Sequence, residues 1–153
     1  MLFRSTDANG EWFELKATAD VDLNGLQAGT TTLGATPLVP ASGNCVRLTN
    51  GSYAVFARTL GAGNGLPASL TPVGTFAFGL TNGPSSFQIG FGGANLATAT
   101  WATTSVAGSS WMLDTDGTQC TSNLTVPTIE PQYMNNTMAG TDRGTPGAIN
   151  SPA

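Results

Sequence analysis

The sequence predicts an all-β protein, an antiparallel β-sandwich of about eight strands. Three observations carry that prediction. Short runs of alternating apolar and polar residues dominate, and no long stretch keeps a 3.6-residue period. Turn signals built from Gly, Pro and Asn recur roughly every 8–12 residues, the spacing of sandwiches and barrels. The alternating runs supply two sets of inward-facing aromatic and branched residues, which suits two facing sheets better than one closed barrel.

The elements follow in order. Over residues 11–16, Phe13 and Leu15 fall on one face, Trp12 and Glu14 on the other. Val21 and Leu23 flank an outward Asp22, and Asn24-Gly25 then turns the chain. Residues 45–48, an Asn50-Gly51 turn and residues 53–57 read as a β-hairpin. Residues 75–80 and 85–91 read as a second pair, joined by Thr81-Asn82-Gly83-Pro84, with Phe76, Phe78 and Leu80 alternating on one arm and Phe87, Ile89 and Phe91 on the other. Residues 96–101 and 110–113 complete the set. Residues 27–44 and 120–142 escape this description: both are turn-rich and only sparsely apolar, and irregular stretches of that length are uncommon in compact domains.

Composition excludes several functions. A chain of 153 residues fits one domain and needs no covalent staple to bury a core. Charged residues make up 9%, far below the roughly 25% of an average soluble protein. With a net charge of −4 and five scattered cations, the chain cannot build the dense basic surface that nucleic acid requires. The absence of histidine removes the usual general base and the commonest zinc ligand. No apolar run approaches the ~18 residues of a transmembrane helix. Met1-Leu2-Phe3-Arg4 lacks the features of a signal peptide, so the protein either stays in the cytoplasm or is trimmed at its start, and trimming is the expectation.

Candidate sites are few. Asp20-Val21-Asp22-Leu23-Asn24-Gly25 matches the first half of a calcium loop, but Thr31 stands where a bidentate Glu belongs, and the plainer reading is a strand ending in an Asn-Gly turn. Asp114 and Asp116 form a second short acidic turn; should the two turns meet, calcium becomes a better fit. Trp12, Trp101 and Trp111 could stack sugar rings, but core packing is the plainer reading because sandwiches commonly bury a Trp; Trp12, pointing away from Phe13 and Leu15, is the best exposed candidate. Glu11 and Glu14 could be imagined as a glycosidase pair, but alternation separates them, and both read as solvated strand residues. Serines without a histidine partner leave nucleophilic catalysis without a base. Cys45 and Cys120 are read as a structural disulfide, which would imply an oxidising compartment and close a loop worth roughly 4 kcal/mol. A redox or metal pair lacks CxxC and His, and two unrelated buried thiols are the remaining alternative.

Several blocks, in order, resemble the lamin-tail domain. They are Gly10-Glu11-Trp12-Phe13-Glu14-Leu15 leading into Val21-Asp22-Leu23-Asn24-Gly25-Leu26, then Asn50-Gly51-Ser52-Tyr53-Ala54-Val55-Phe56-Ala57-Arg58, then Phe78-Gly79-Leu80-Thr81-Asn82-Gly83. Ser109-Ser110-Trp111-Met112-Leu113-Asp114 with Asp116-Gly117 follows, and Arg143-Gly144-Thr145-Pro146-Gly147-Ala148-Ile149-Asn150 closes the chain. The resemblance implies an immunoglobulin-like sandwich spanning residues 1–153. Bacterial members of that family are secreted or surface accessory domains, often beside hydrolases, with no shared catalytic residues. Two departures stand out: the family's opening Val-Ile-Thr-Glu-Ile strand is short or missing, and residues 120–142 are a long insert.

The expectation is therefore a non-enzymatic bacterial module, secreted, periplasmic or on the cell surface, binding a protein or surface polysaccharide and needing no cofactor. The alternative is a carbohydrate-binding module using Trp12, with calcium assistance from Asp20, Asp22, Asn24, Asp114 and Asp116.

Overall fold

The computed structural model describes residues 2–4, 10–60, 64, 66, 69–81, 83–102, 110–113, 119–121, 132–134, 141–143 and 147. Among them there is no helix. The strands are β1 (Leu2–Arg4), β2 (Trp12–Lys16), β3 (Val21–Asp22), β4 (Leu26–Thr30), β5 (Arg47–Leu48), β6 (Tyr53–Ala57) and β7 (Gly74–Thr75). They continue as β8 (Ser85–Phe91), β9 (Ala94–Trp101), β10 (Trp111–Leu113), β11 (Gln119–Thr121), β12 (Gln132–Met134) and β13 (Thr141–Arg143).

Two sheets form the sandwich. The larger has the order β11-β10-β1-β2-β6-β7, and the smaller β4-β8-β9; β3-β5 and β12-β13 are separate two-stranded ribbons. Every pairing is antiparallel except β6 with β7. In the larger sheet Phe13 lies opposite Phe56, and their rings stack at 5.0 Å. Phe87 reaches across from β8, its ring centroid 4.6 Å from that of Phe13, so one phenylalanine touches both layers. Phe76 at 5.1 Å and Phe78 at 6.5 Å close the cluster from the segment after β7. Trp101 of β9 and Trp111 of β10, 5.9 Å apart, seal the other end. Burying each large apolar side chain is worth about 1.5–3 kcal/mol, so this aromatic seam is what holds the layers together.

The outer face of the larger sheet is covered as well. Trp12, Val55, Ala57 and Leu66 form a second buried cluster, with Leu70 packed against it. Leu66 and Leu70 thus lie over β2 and β6 as part of a third layer, and Val55 joins Trp12 rather than the main core.

Several expected pairings differ. Residues 45–48 and 53–57 do not pair: β5 joins β3, β6 joins β2, and the Asn50-Gly51 turn carries the chain between sheets. Gly51 takes φ +80° there, and Ser52 N–H bonds to Thr49 O at 3.0 Å. Residues 75–80 supply only the short β7, while β8 pairs with β4 and β9. The Phe76/Phe78/Leu80 alternation is real, but it packs against the core without a ladder. β4 falls in a stretch expected to be irregular. β8 and β9 are joined by Gly92-Gly93, both at positive φ (57° and 82°), as a two-residue hairpin loop of the I′ type demands.

Candidate functional site

Trp12 is not a platform. It is 0% exposed, packed beneath Leu66 and Leu70, and its indole Nε1 has no hydrogen-bond partner. The alternation reading failed because it assumed a solvated outer face. Glu11 and Glu14 are likewise buried, not solvated. Glu11 is paired with Arg58 at 3.1 Å and accepts from Leu80 N–H at 3.3 Å. Arg58 also donates to the Phe78 carbonyl, so this pair ties the segment after β7 to the start of β2. Glu14 accepts from Gly147 N–H. Burial pushes its carboxyl up to about 7, against the smaller opposing pull of that bond. The two carboxylates are held by different partners and do not converge.

The acidic turn near β3 is self-contained. Asp20 accepts from Asn50 N–H at 2.9 Å and from the Arg47 guanidinium, and these donors hold its carboxyl below the usual range. Asp22 Oδ1 accepts from Asn24 N–H at 3.1 Å, Asn24 Nδ2 at 2.9 Å and Val46 N–H at 3.0 Å. Those bonds, with the Cys45 thiol, lower its carboxyl too. Asn24 Nδ2 donates to Asn44 O at 2.8 Å, and its Oδ1 accepts from Ser42 N–H and Oγ, each at 3.2 Å. Gly25 follows at φ +78°. The oxygens a cation would need are engaged by internal donors. Among the described residues no group of three or more His, Cys, Asp or Glu side chains could hold a metal. Asp114 and Asp116 lie outside the described residues.

The expected Cys45–Cys120 bridge is absent. Cys45 is an exposed free thiol beside the β3-β5 ribbon. Cys120 belongs to β11, the end strand of the larger sheet, whereas Cys45 lies in the segment leading into β5.

What the structure does assemble is a polar groove on the outer face of the β4-β8-β9 sheet. The register places Leu26, Ala28, Phe87, Ile89, Ala99 and Trp101 inward, leaving Gln27, Ser86, Gln88, Thr98 and Thr100 outward. Residues 31–35 fold back over this face. They can do so because position 29 is glycine: a methyl there would collide with the Thr32 carbonyl. The groove, about 520 Å³, is lined by Gln27, Thr31, Thr32, Gln88 and Asn95 with Leu33 and small residues, and carries no charged side chain.

Its walls are fixed by side-chain hydrogen bonds to the backbone. Gln27 is 8% exposed; its Nε2 donates to Gly34 O at 3.0 Å and Ala35 O at 3.1 Å, and its Oε1 accepts from Gly93 N–H at 2.7 Å. Gln88 Nε2 donates to Thr31 O at 2.7 Å. Thr31 itself has φ 65°, a left-handed conformation costly for a β-branched residue, within a tight turn closed by Thr32 N–H to Thr30 O at 2.7 Å. Sequence reasoning missed this site because 27–44 read as irregular. The available signal was Gln27 flanked by Leu26 and Ala28, an amide inside an apolar alternation.

No family model, curated protein or solved structure matches this chain.

Proposed function

We propose that the chain is a non-catalytic binding module of lamin-tail type, exported and displayed outside the cytoplasm, that recognises a protein or cell-surface polymer through the outer face of the β4-β8-β9 sheet. The observation that carries this reading is the groove itself: a rigid, uncharged, concave polar surface beside an edge strand, β9, whose residues from Ala94 to Thr98 are all exposed. The two-layer architecture supports the resemblance, because the Gly10–Leu15 and Gly51–Arg58 blocks become the neighbouring strands β2 and β6. The carboxylates nearest to catalytic use, Glu11 and Glu14, are engaged in holding the fold. The sparse charge suits a surface that binds neutral partners.

The test is depletion of the purified chain onto peptidoglycan sacculi, insoluble glucan and immobilised cell-surface proteins, with product release followed in parallel. Saturable binding to one of these, abolished by Thr98→Arg without loss of melting temperature and with no products formed, is the expected result. Turnover of any polymer would overturn it, as would the lack of saturable binding or binding indifferent to Thr98→Arg.

A further inference from the structure

Taking the binding-module reading as its basis, we infer that the groove bounded by Gln27, Thr31, Thr32, Gln88 and Asn95 is a subsite for a neutral saccharide, held by side-chain amides and hydroxyls without aromatic stacking.

Four features select that ligand class. The lining holds no charged group, so an ionic ligand would be desolvated against nothing that compensates it. Five of the nine lining residues carry an amide or hydroxyl and Leu33 is the one large apolar residue, so an apolar ligand would strand those polar groups. Hydrogen-bonding capacity remains unused. Gln88 donates through Nε2 to Thr31 O, and Asn95 donates through Nδ2 to Thr98 Oγ1 at 2.8 Å, which leaves Gln88 Oε1 and Asn95 Oδ1 as acceptors for ligand hydroxyls. The Thr31 and Thr32 hydroxyls, each able to donate and accept, stand across the groove. Hydroxyl donors on a sugar ring fit such a mixed set, and the row of Ser86, Thr98 and Thr100 extends the polar face along the sheet for further residues of an oligosaccharide.

The groove is also built before any ligand arrives. Gln27 bonds three backbone groups from two different loops, and the Thr31 turn is held in a strained conformation by Gln88. Fixed walls lower the ordering cost of binding. With no exposed tryptophan among the described residues, stacking energy is missing, and binding should be weak, in the high-micromolar to millimolar range.

The experiment is an amide-resolved NMR titration of the full chain with neutral hexasaccharides of glucose, xylose and mannose, and with polygalacturonate as the anionic control. The expected result is saturable shifts at Gln27, Thr31, Thr32, Gln88, Gly93 and Asn95 from a neutral hexasaccharide and none from polygalacturonate. Asn95→Ala, at an exposed position, and Thr32→Ala should each weaken binding about fivefold, the usual worth of one hydrogen bond, with an unchanged melting temperature. No shifts from any neutral saccharide, shifts centred elsewhere, or affinity unaffected by both variants would overturn the assignment. If Thr98→Arg-sensitive capture of a surface protein persists while every saccharide fails, the saccharide assignment falls and the binding-module reading stands.

Discussion

At the scale of single residues, the side chains that composition made most suggestive turn out to be structural. Trp12, Glu11 and Glu14 were visible in the sequence as unusual groups on a strand, but their environment was not, because alternation specifies a face and not what covers it. Glu14 gives this difference a measurable consequence. Burial raises its carboxyl from the ordinary value of 4.5 to about 7. A raised folded-state value means that the neutral form is favoured by folding. The contribution is therefore fully present below about pH 4.5 and is lost as pH climbs through about 7, by roughly 3 kcal/mol at most. Glu14→Gln keeps an oxygen for Gly147 N–H and cannot ionise. Its melting temperature should match wild type below about pH 4.5, exceed it increasingly as pH rises to about 7, and keep a constant advantage above that. A variant that parallels wild type across that range would show that Glu14 is not the group responsible.

At the scale of elements, strand existence was legible and strand partnership was not. The runs over residues 11–16, 53–57 and 85–91 all became strands, because period-2 alternation is a local property. The hairpins drawn through Asn50-Gly51 and residues 81–84 did not form: an Asn-Gly turn reverses the chain equally well inside a sheet or between two. β4 was hidden because Gln27 and Gly29 break its apolar pattern on the outer face, the face that the groove uses. Gly90 shows how closely these elements approach. It faces the β8-β9 irregularity, and a methyl there would collide with the Ala94 carbonyl and Leu33 Cδ1. Gly90→Ala should therefore cost 1–3 kcal/mol, the usual range for overpacking. Denaturant unfolding would register it as a lower midpoint with an unchanged slope. A shift under about 0.5 kcal/mol, the scale of ordinary surface changes, would mean that the hairpin moves aside freely.

At the scale of the whole molecule, the aromatic seam decides whether a covalent staple matters. A chain of this size buries roughly 70% of the surface its unfolded form exposes, enough for a core to stand alone. Phe13, Phe56, Phe76 and Phe87 are each at most 3% exposed and together span both sheets. A pair of cysteines without CxxC spacing or a histidine points to a bridge, but sequence gives no distance between Cys45 before β5 and Cys120 at the far sheet edge. If packing holds the fold, reductant should leave the melting temperature unchanged, whereas removing a native disulfide commonly costs 2–5 kcal/mol. Cys45, being exposed, should also be alkylated in the folded protein without prior reduction, and intact mass should show no two-hydrogen gain on adding reductant. A reductant-dependent melting temperature, together with a thiol at Cys45 that reacts only after reduction, would mean that the segment before β5 is tied covalently to the larger sheet in solution and that packing alone does not hold the fold.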